Sequence, residues 1–240
     1  MTITMRSESP MAWSVSNGVR HTALASFSAL GLGLLATRWW MTGFPAFLFL
    51  SWNLFLAWLP WLISLTMRPL RPALPFWLLF GVWLVFWPNA PYLLTDFVHL
   101  RARPPVPLWF DVLLLSSFAW AGCLLGWDAL ARVHLTLAVR FGRAAAAGLV
   151  TACVALCGLG VFLGRFRRLN SWDLVAAPCE VWASCRDAVA SPGALAFSLA
   201  FATLVGAGYL FTAPHALAVL PGGARRLHSS TTAAPTGTEP

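Results

Sequence analysis

The sequence predicts an all-α fold: a polytopic integral membrane bundle of about six transmembrane helices, with a broken or re-entrant segment after the third. Three observations predict it. Of 240 residues, 59% are hydrophobic and only 10% are charged, where soluble domains carry about 25% charge. Mean hydropathy is +0.72. Apolar runs of membrane length recur along the chain, and many of the 14 Trp sit near their ends, as an interfacial aromatic belt requires.

The elements follow in order. Residues 1–20 form a short polar tail holding Arg6 and Arg20. The first span, 22–40, ends in ATRWW without a small-x-small cleavage site and reads as a retained helix. The second, 44–67, carries Asn53, a residue type that commonly joins helices by a hydrogen bond. The third, 73–87, is short, about 22 Å of helix against a hydrocarbon core of about 30 Å. Either Leu70 and Arg71 complete it, or Pro88-Asn89-Ala90-Pro91 breaks it at membrane depth, and the break is favoured. The fourth span, 110–127, opens on Asp111, and Arg101 or Arg103 would neutralise that acid. Residues 128–143 are apolar enough to lie in the interface or to extend the fifth span, too short and too basic to cross alone, and read as a surface helix. The fifth and sixth spans are 144–163 and 194–213, and the tail 221–240, rich in Gly, Ser, Thr and Pro, reads as disordered. Residues 21–220 are thus one transmembrane domain.

All 16 basic residues are Arg and net charge is +8. In such an apolar chain this means basic loops beside anionic lipid, and nucleic acid is not an expected partner. A small excess of Arg in the N-tail, in the loops after spans two and four and in the C-tail places both termini in the cytoplasm. Span parity puts the loops after spans three and five on one face whichever way the chain inserts; with this bias that face is extracytoplasmic. Cys123, Cys153 and Cys157 fall in apolar runs as packing residues. Cys179 and Cys185 share a loop in which an oxidising compartment would permit a disulfide.

The loop after span three holds the first polar cluster. With Pro91 at the first position of a new helix, Tyr92, Thr95, Asp96 and His99 fall at i, i+3, i+4 and i+7 on one stripe. Asp96 and His99 are then in reach of one another, and both are general acid/base and metal-ligand types. An amphipathic interfacial helix with its polar face in water is the competing account. The second cluster is GRFRRLNSWD, 164–173, where Asn170 caps a helix containing Asp173 and where Arg165, Arg167 and Arg168 bind an anion or phospholipid headgroups. With Asn89 and Asp111, these residues make up the candidate polar site, and Asp96, His99 and Asp173 are the candidate metal ligands. His21, His134, His215 and His228 look incidental. No cofactor is indicated.

No Walker loop, G-x-S-x-G, H-E-x-x-H or dinucleotide-binding glycine pattern occurs. Three function classes remain: small-solute or ion transport, with a homo-oligomer expected because six spans without an inverted repeat are few; a structural or assembly protein; and a membrane-embedded enzyme acting on a lipid or envelope precursor. Transport is placed first.

PNAPYLLTDFVHL at 88–100, the P-x-W-F-D element at 107–111 and GRFRRLNSWD at 164–173 resemble the bacterial polytopic membrane proteins catalogued as domain of unknown function 1361. The resemblance runs over about residues 46–213. It implies a multi-pass protein of the bacterial inner membrane and no mechanism. Leu169 departs from the aromatic residue expected before NSWD.

Overall fold

The computed structural model describes residues 10–67 and 74–212. Residues 1–9 of the polar tail, the 221–240 tail, Leu70 and Arg71, and His215 and His228 lie outside the described residues. The elements are α1 (Pro10–Thr42), α2 (Phe49–Met67), α3 (Leu74–Phe86), α4 (Asn89–Tyr92), a 3₁₀ helix (Leu93–His99), α5 (Leu108–Phe141), α6 (Arg143–Phe166), α7 (Asp173–Ala176), α8 (Pro178–Ala190) and α9 (Pro192–Thr212). Six stretches are long and apolar enough to cross a membrane: Gly18–Thr42, Phe49–Met67, Leu74–His99, Leu108–Phe141, Arg143–Phe166 and Pro192–Thr212. The chain is therefore a multi-pass membrane protein in contact with lipid, and the described residues hold no strand beyond an isolated bridge between Arg103 and Val106.

Lipid offers the backbone no hydrogen bonds, so each span must satisfy itself. Several hydroxyls do the same. Ser28, Thr136 and Thr151 each donate at 2.9 Å to the carbonyl four residues back, so these donors are satisfied within their own helices. The bundle exterior is apolar: Trp52, Phe55 and Leu62 on α2 and Leu199, Leu210 and Phe211 on α9 are all exposed.

α5 is the central helix. Leu114, Leu125, Leu130 and Leu137 are fully buried, and it packs against α1, α2, α4, the 3₁₀ helix and α6. The expected surface helix at 128–143 does not exist as such: α5 runs unbroken through it to Phe141, and residues 128–141 extend the fourth span. The physical reason is that nothing in the sequence stops it before Gly142, whose φ of +86° breaks the helix and starts α6 one residue later. At 34 residues, α5 is about 51 Å long. The extension adds no crossing, so the parity argument stands.

Apolar helices in lipid gain little from hydrophobic burial against one another and rely on close fit. Small residues supply it. Gly122 and Gly126 of α5 lie against Ala90, Leu93 and Pro91, Gly160 and Gly164 of α6 lie against Pro88 and Tyr92, and Gly158 lies under the Ser198 carbonyl of α9. The prolyl segment after α3 is thus held between two Gly-x-x-x-Gly edges on different helices.

Cys179 and Cys185 do not share a loop. Both are on α8 and both are free thiols. Six helical residues separate them by about 9 Å, beyond the roughly 7 Å a disulfide spans.

Candidate functional site

α3 ends at Phe86, and Trp87 and Pro88 form a turn that leads straight into α4. Trp87 anchors that turn. It is fully buried, stacks on Trp83 at 5.3 Å and donates its Nε1–H to the Gly126 carbonyl at 2.9 Å. The new helix begins at Asn89, two residues earlier than the sequence suggested, because the Pro88 carbonyl accepts the Tyr92 N–H at 3.0 Å. From Leu93 the winding tightens to seven residues of 3₁₀ helix, a long run for that geometry. In it, residues three apart eclipse, so Thr95, Asp96 and His99 still turn toward α6.

Arg165 of α6 receives all three. Its guanidinium donates to Thr95 Oγ1 at 2.8 Å and 2.6 Å and to the Asp96 carboxylate, and its Nη1 lies 3.3 Å from His99 Nε2. The guanidinium carbon also lies 4.3 Å from the centre of the Tyr92 ring. Asn53 of α2 donates to the other Asp96 oxygen at 3.1 Å. Asp96 is 1% exposed and Arg165 is 13% exposed. In place of the expected hydrogen bond between Asp96 and His99, the two meet through a shared partner, Arg165, which reaches both. Arg165 therefore points inward, away from Arg167 and Arg168, which are both exposed.

Asn89 and the NSWD element meet a few ångströms away. Asn89 Nδ2 donates to Ser171 Oγ at 2.9 Å and to the Phe86 carbonyl at 2.8 Å, and Ser171 Oγ donates to the Val85 carbonyl at 3.1 Å. Ser171 thus helps satisfy the carbonyls that the end of α3 leaves open. Asn170 does not cap a helix. Instead Asp173 folds back and accepts the Asn170 backbone N–H at 2.6 Å, and α7 starts at Asp173 itself. With its carboxylate so engaged, Asp173 does not join Asp96 and His99, and among the described residues no three His, Cys, Asp or Glu side chains are grouped to hold a metal ion.

Between these contacts lies a cavity of about 210 Å³ lined by Asn53, Asn89, Tyr92, Asn170 and Ser171, with Trp52, Leu56 and Leu174 as apolar walls. Its polar groups are amides, a phenol and a hydroxyl. The Asp96–Arg165 pair lies beside it.

Asp111 is on the same face of the bundle but has its own partner. Arg38 of α1 binds it bidentately, Nε–Oδ1 2.6 Å and Nη2–Oδ2 3.1 Å, with both side chains almost fully buried. Neither Arg101 nor Arg103 neutralises it, as had been expected: Arg101 is exposed and Arg103 stacks on Phe47 at 4.6 Å. Asp111 opens α5 facing α1, and only a residue near the end of α1 reaches that side. Farther along α5, Asp128 binds Arg132 at 2.7 Å and the Trp61 Nε1–H at 2.8 Å, with Arg20 at 3.7 Å. His21 joins this group beside Arg132 at 3.2 Å, and His134 separately meets the Tyr209 hydroxyl at 2.8 Å.

The residues that sequence reasoning missed are Ser171 and Arg38, together with the glycines of α5 and α6, whereas Asn53 makes the kind of inter-element hydrogen bond expected of it, with Asp96 as the partner. The glycines carried a readable signal, G-x-x-x-G at 122–126 and at 160–164. Arg38 carried a weaker one, a cation inside the limits of a span.

The model of a family described as protein of unknown function, DUF1361, matches residues 52–207, which include every element of the site except Arg38. No curated protein and no solved structure matches the chain.

Proposed function

The chain belongs to the DUF1361 family, and we propose that it carries a small polar solute across a bacterial inner membrane. The observation that carries this reading is the cavity of about 210 Å³ at the end of α3, walled by hydrogen-bonding but uncharged groups. Interrupted helices whose freed backbone lines a cavity are how membrane carriers build a binding site. The uncharged lining favours a neutral solute that donates and accepts hydrogen bonds. The paired Asp96 and Arg165 act as the adjoining gate: a carboxylate and a guanidinium that separate only if the solute or a proton replaces one of their bonds. The arginine distribution along the loops favours an extracytoplasmic site with cytoplasmic termini. Six spans favour a homo-oligomer.

The test is uptake of radiolabelled polyols, amides and amino acids into proteoliposomes under proton and sodium gradients. Tyr92→Phe retains the ring that Arg165 stacks on and removes the cavity hydroxyl. Its uptake should fall about tenfold, the effect of one lost hydrogen bond, at unchanged thermal stability. Failure of every solute class to move, with Asp96→Asn still folded, refutes carriage.

A second reading has its own support. Asp96 is saturated by Arg165 and Asn53, which is what an assembly lock between α2, α6 and the 3₁₀ helix requires. A membrane-embedded enzyme is less well supported, since Asp96 and Asp173 both have their carboxylates engaged.

A further inference from the structure

A second cavity, of about 420 Å³, opens on the same face, lined by Arg38, Thr42, Phe44, Phe49, His99 and Arg103, with Pro104 and Pro105 at one side. Its charge balance is unlike that of the first. Arg38 is neutralised by Asp111. Arg103 is not neutralised: among the described residues no carboxylate lies within ion-pair range of it. Its Nη1 is buried and makes no hydrogen bond. A buried guanidinium donor without an acceptor is unfavourable unless an anion completes it.

The guanidinium is also held in place. It lies over the Phe47 ring at 4.6 Å, and Arg38 lies over the same ring at 4.8 Å. Phe47 has a φ of +69°, a left-handed conformation that a bulky residue adopts only where its surroundings hold it there. The turn Arg103–Val106, closed by the Val106 N–H to the Arg103 carbonyl at 3.2 Å, fixes the backbone behind it. The cavity is therefore preformed around a fixed cation with a free donor.

From this geometry we infer that the cavity binds a phosphate group through Arg103. The planar guanidinium fork suits phosphate oxygens. The rim indicates a phospholipid headgroup as one source: Phe44 is 68% exposed and Phe49 38% exposed, so an acyl chain can lie against them while the phosphate enters. Free phosphate is the other source. The inference is independent of what the first cavity carries.

Native mass spectrometry and isothermal titration on the detergent-purified full chain test it, with phosphatidylglycerol, inorganic phosphate and diacylglycerol as separate probes. The expected result is retained phosphatidylglycerol, no retained diacylglycerol, and binding at least about tenfold weaker in Arg103→Gln. Binding of inorganic phosphate as well assigns the site to free phosphate; its absence assigns it to the headgroup. Arg101→Gln, which removes an exposed charge two residues away, should bind like the wild type. If Arg103→Gln does not fold, Arg103→Lys carries the test, keeping the charge but losing the fork and weakening binding several-fold. Equal losses in the Arg101 and Arg103 variants, equal retention of diacylglycerol, or no binding of either phosphate probe overturns the inference.

Discussion

Replacing Arg165 by Leu removes one half of the ion pair at the centre of the site and leaves the other half stranded. Asp96 is 1% exposed and would keep only Asn53, because Thr95 donates its hydroxyl proton to the Tyr92 carbonyl at 2.7 Å and not to the carboxylate. A buried charge abandoned in this way costs about 3–5 kcal/mol. The reverse change, Asp96→Leu, is cheaper. Arg165 is 13% exposed and retains Thr95 and the Tyr92 ring, so its loss is that of a charged hydrogen bond, about 1.5–3 kcal/mol. The double variant has no orphaned charge and should be more stable than Arg165→Leu alone, with a coupling of about 2 kcal/mol or more. Thermal unfolding of the four proteins in one detergent, followed by tryptophan fluorescence, measures the cycle. Additive losses, or Asp96→Leu costing more than Arg165→Leu, would refute the reasoning from burial. The same cycle separates the two functional readings: a lock predicts loss of folded protein in both single variants, whereas a gate predicts changed uptake in whichever variant remains folded.

A methyl group at Gly122 meets the Ala90 carbonyl and the Leu93 side chain, while one at Gly33 meets nothing within 4 Å. Gly122→Ala should therefore lower the melting temperature and the yield of monodisperse protein, and Gly33→Ala should leave both unchanged or raise stability by up to about 1 kcal/mol; equal behaviour of the two would remove the case for a glycine-clamped prolyl segment. Cys179 is exposed and Cys123, Cys153 and Cys157 are buried, and burial pushes the Cys185 thiol pKa up, which lowers its thiolate fraction at neutral pH. A membrane-impermeant maleimide added outside intact cells or right-side-out vesicles should label Cys179 first, Cys185 more slowly and the other three only after unfolding. Labelling of Cys179 solely from the cytoplasmic side would reverse the proposed orientation.

Much of the architecture was readable because lipid imposes a strong rule on sequence. Each of the six crossings overlaps a run that apolar length marked out, although the third reaches His99 and the fourth Phe141, well past the ends expected at 87 and 127. The parity of spans foretold that the loop after α3 and the loop after α6 share a face, and Asn89 with Ser171 and Asp96 with Arg165 meet there. Partners were not readable. Arg165 looked like its exposed neighbours Arg167 and Arg168, yet it lies in the last turn of α6 and turns inward, while Arg167 and Arg168 follow the end of the helix at Phe166, Arg168 with a φ of +59°, and face out. The helical extension of α5 was missed because its arginines argued for an interface, though they pair with Asp128 and reach the ends of neighbouring spans.

The sequence by itself determined an all-α membrane bundle and its number of spans, because hydropathy acts along the chain, and crossing parity put its two polar motifs on one common face. Which charges neutralise which, Asp111 with Arg38 across 73 residues and Asp96 with Arg165 across 69, was decided by the tertiary structure alone. So were the two cavities and the placing beside one of them of Arg103, which no carboxylate among the described residues pairs with. Ion pairing depends on which helix faces meet, and that follows from the close fit of small residues between helices, which no property of an isolated segment reports.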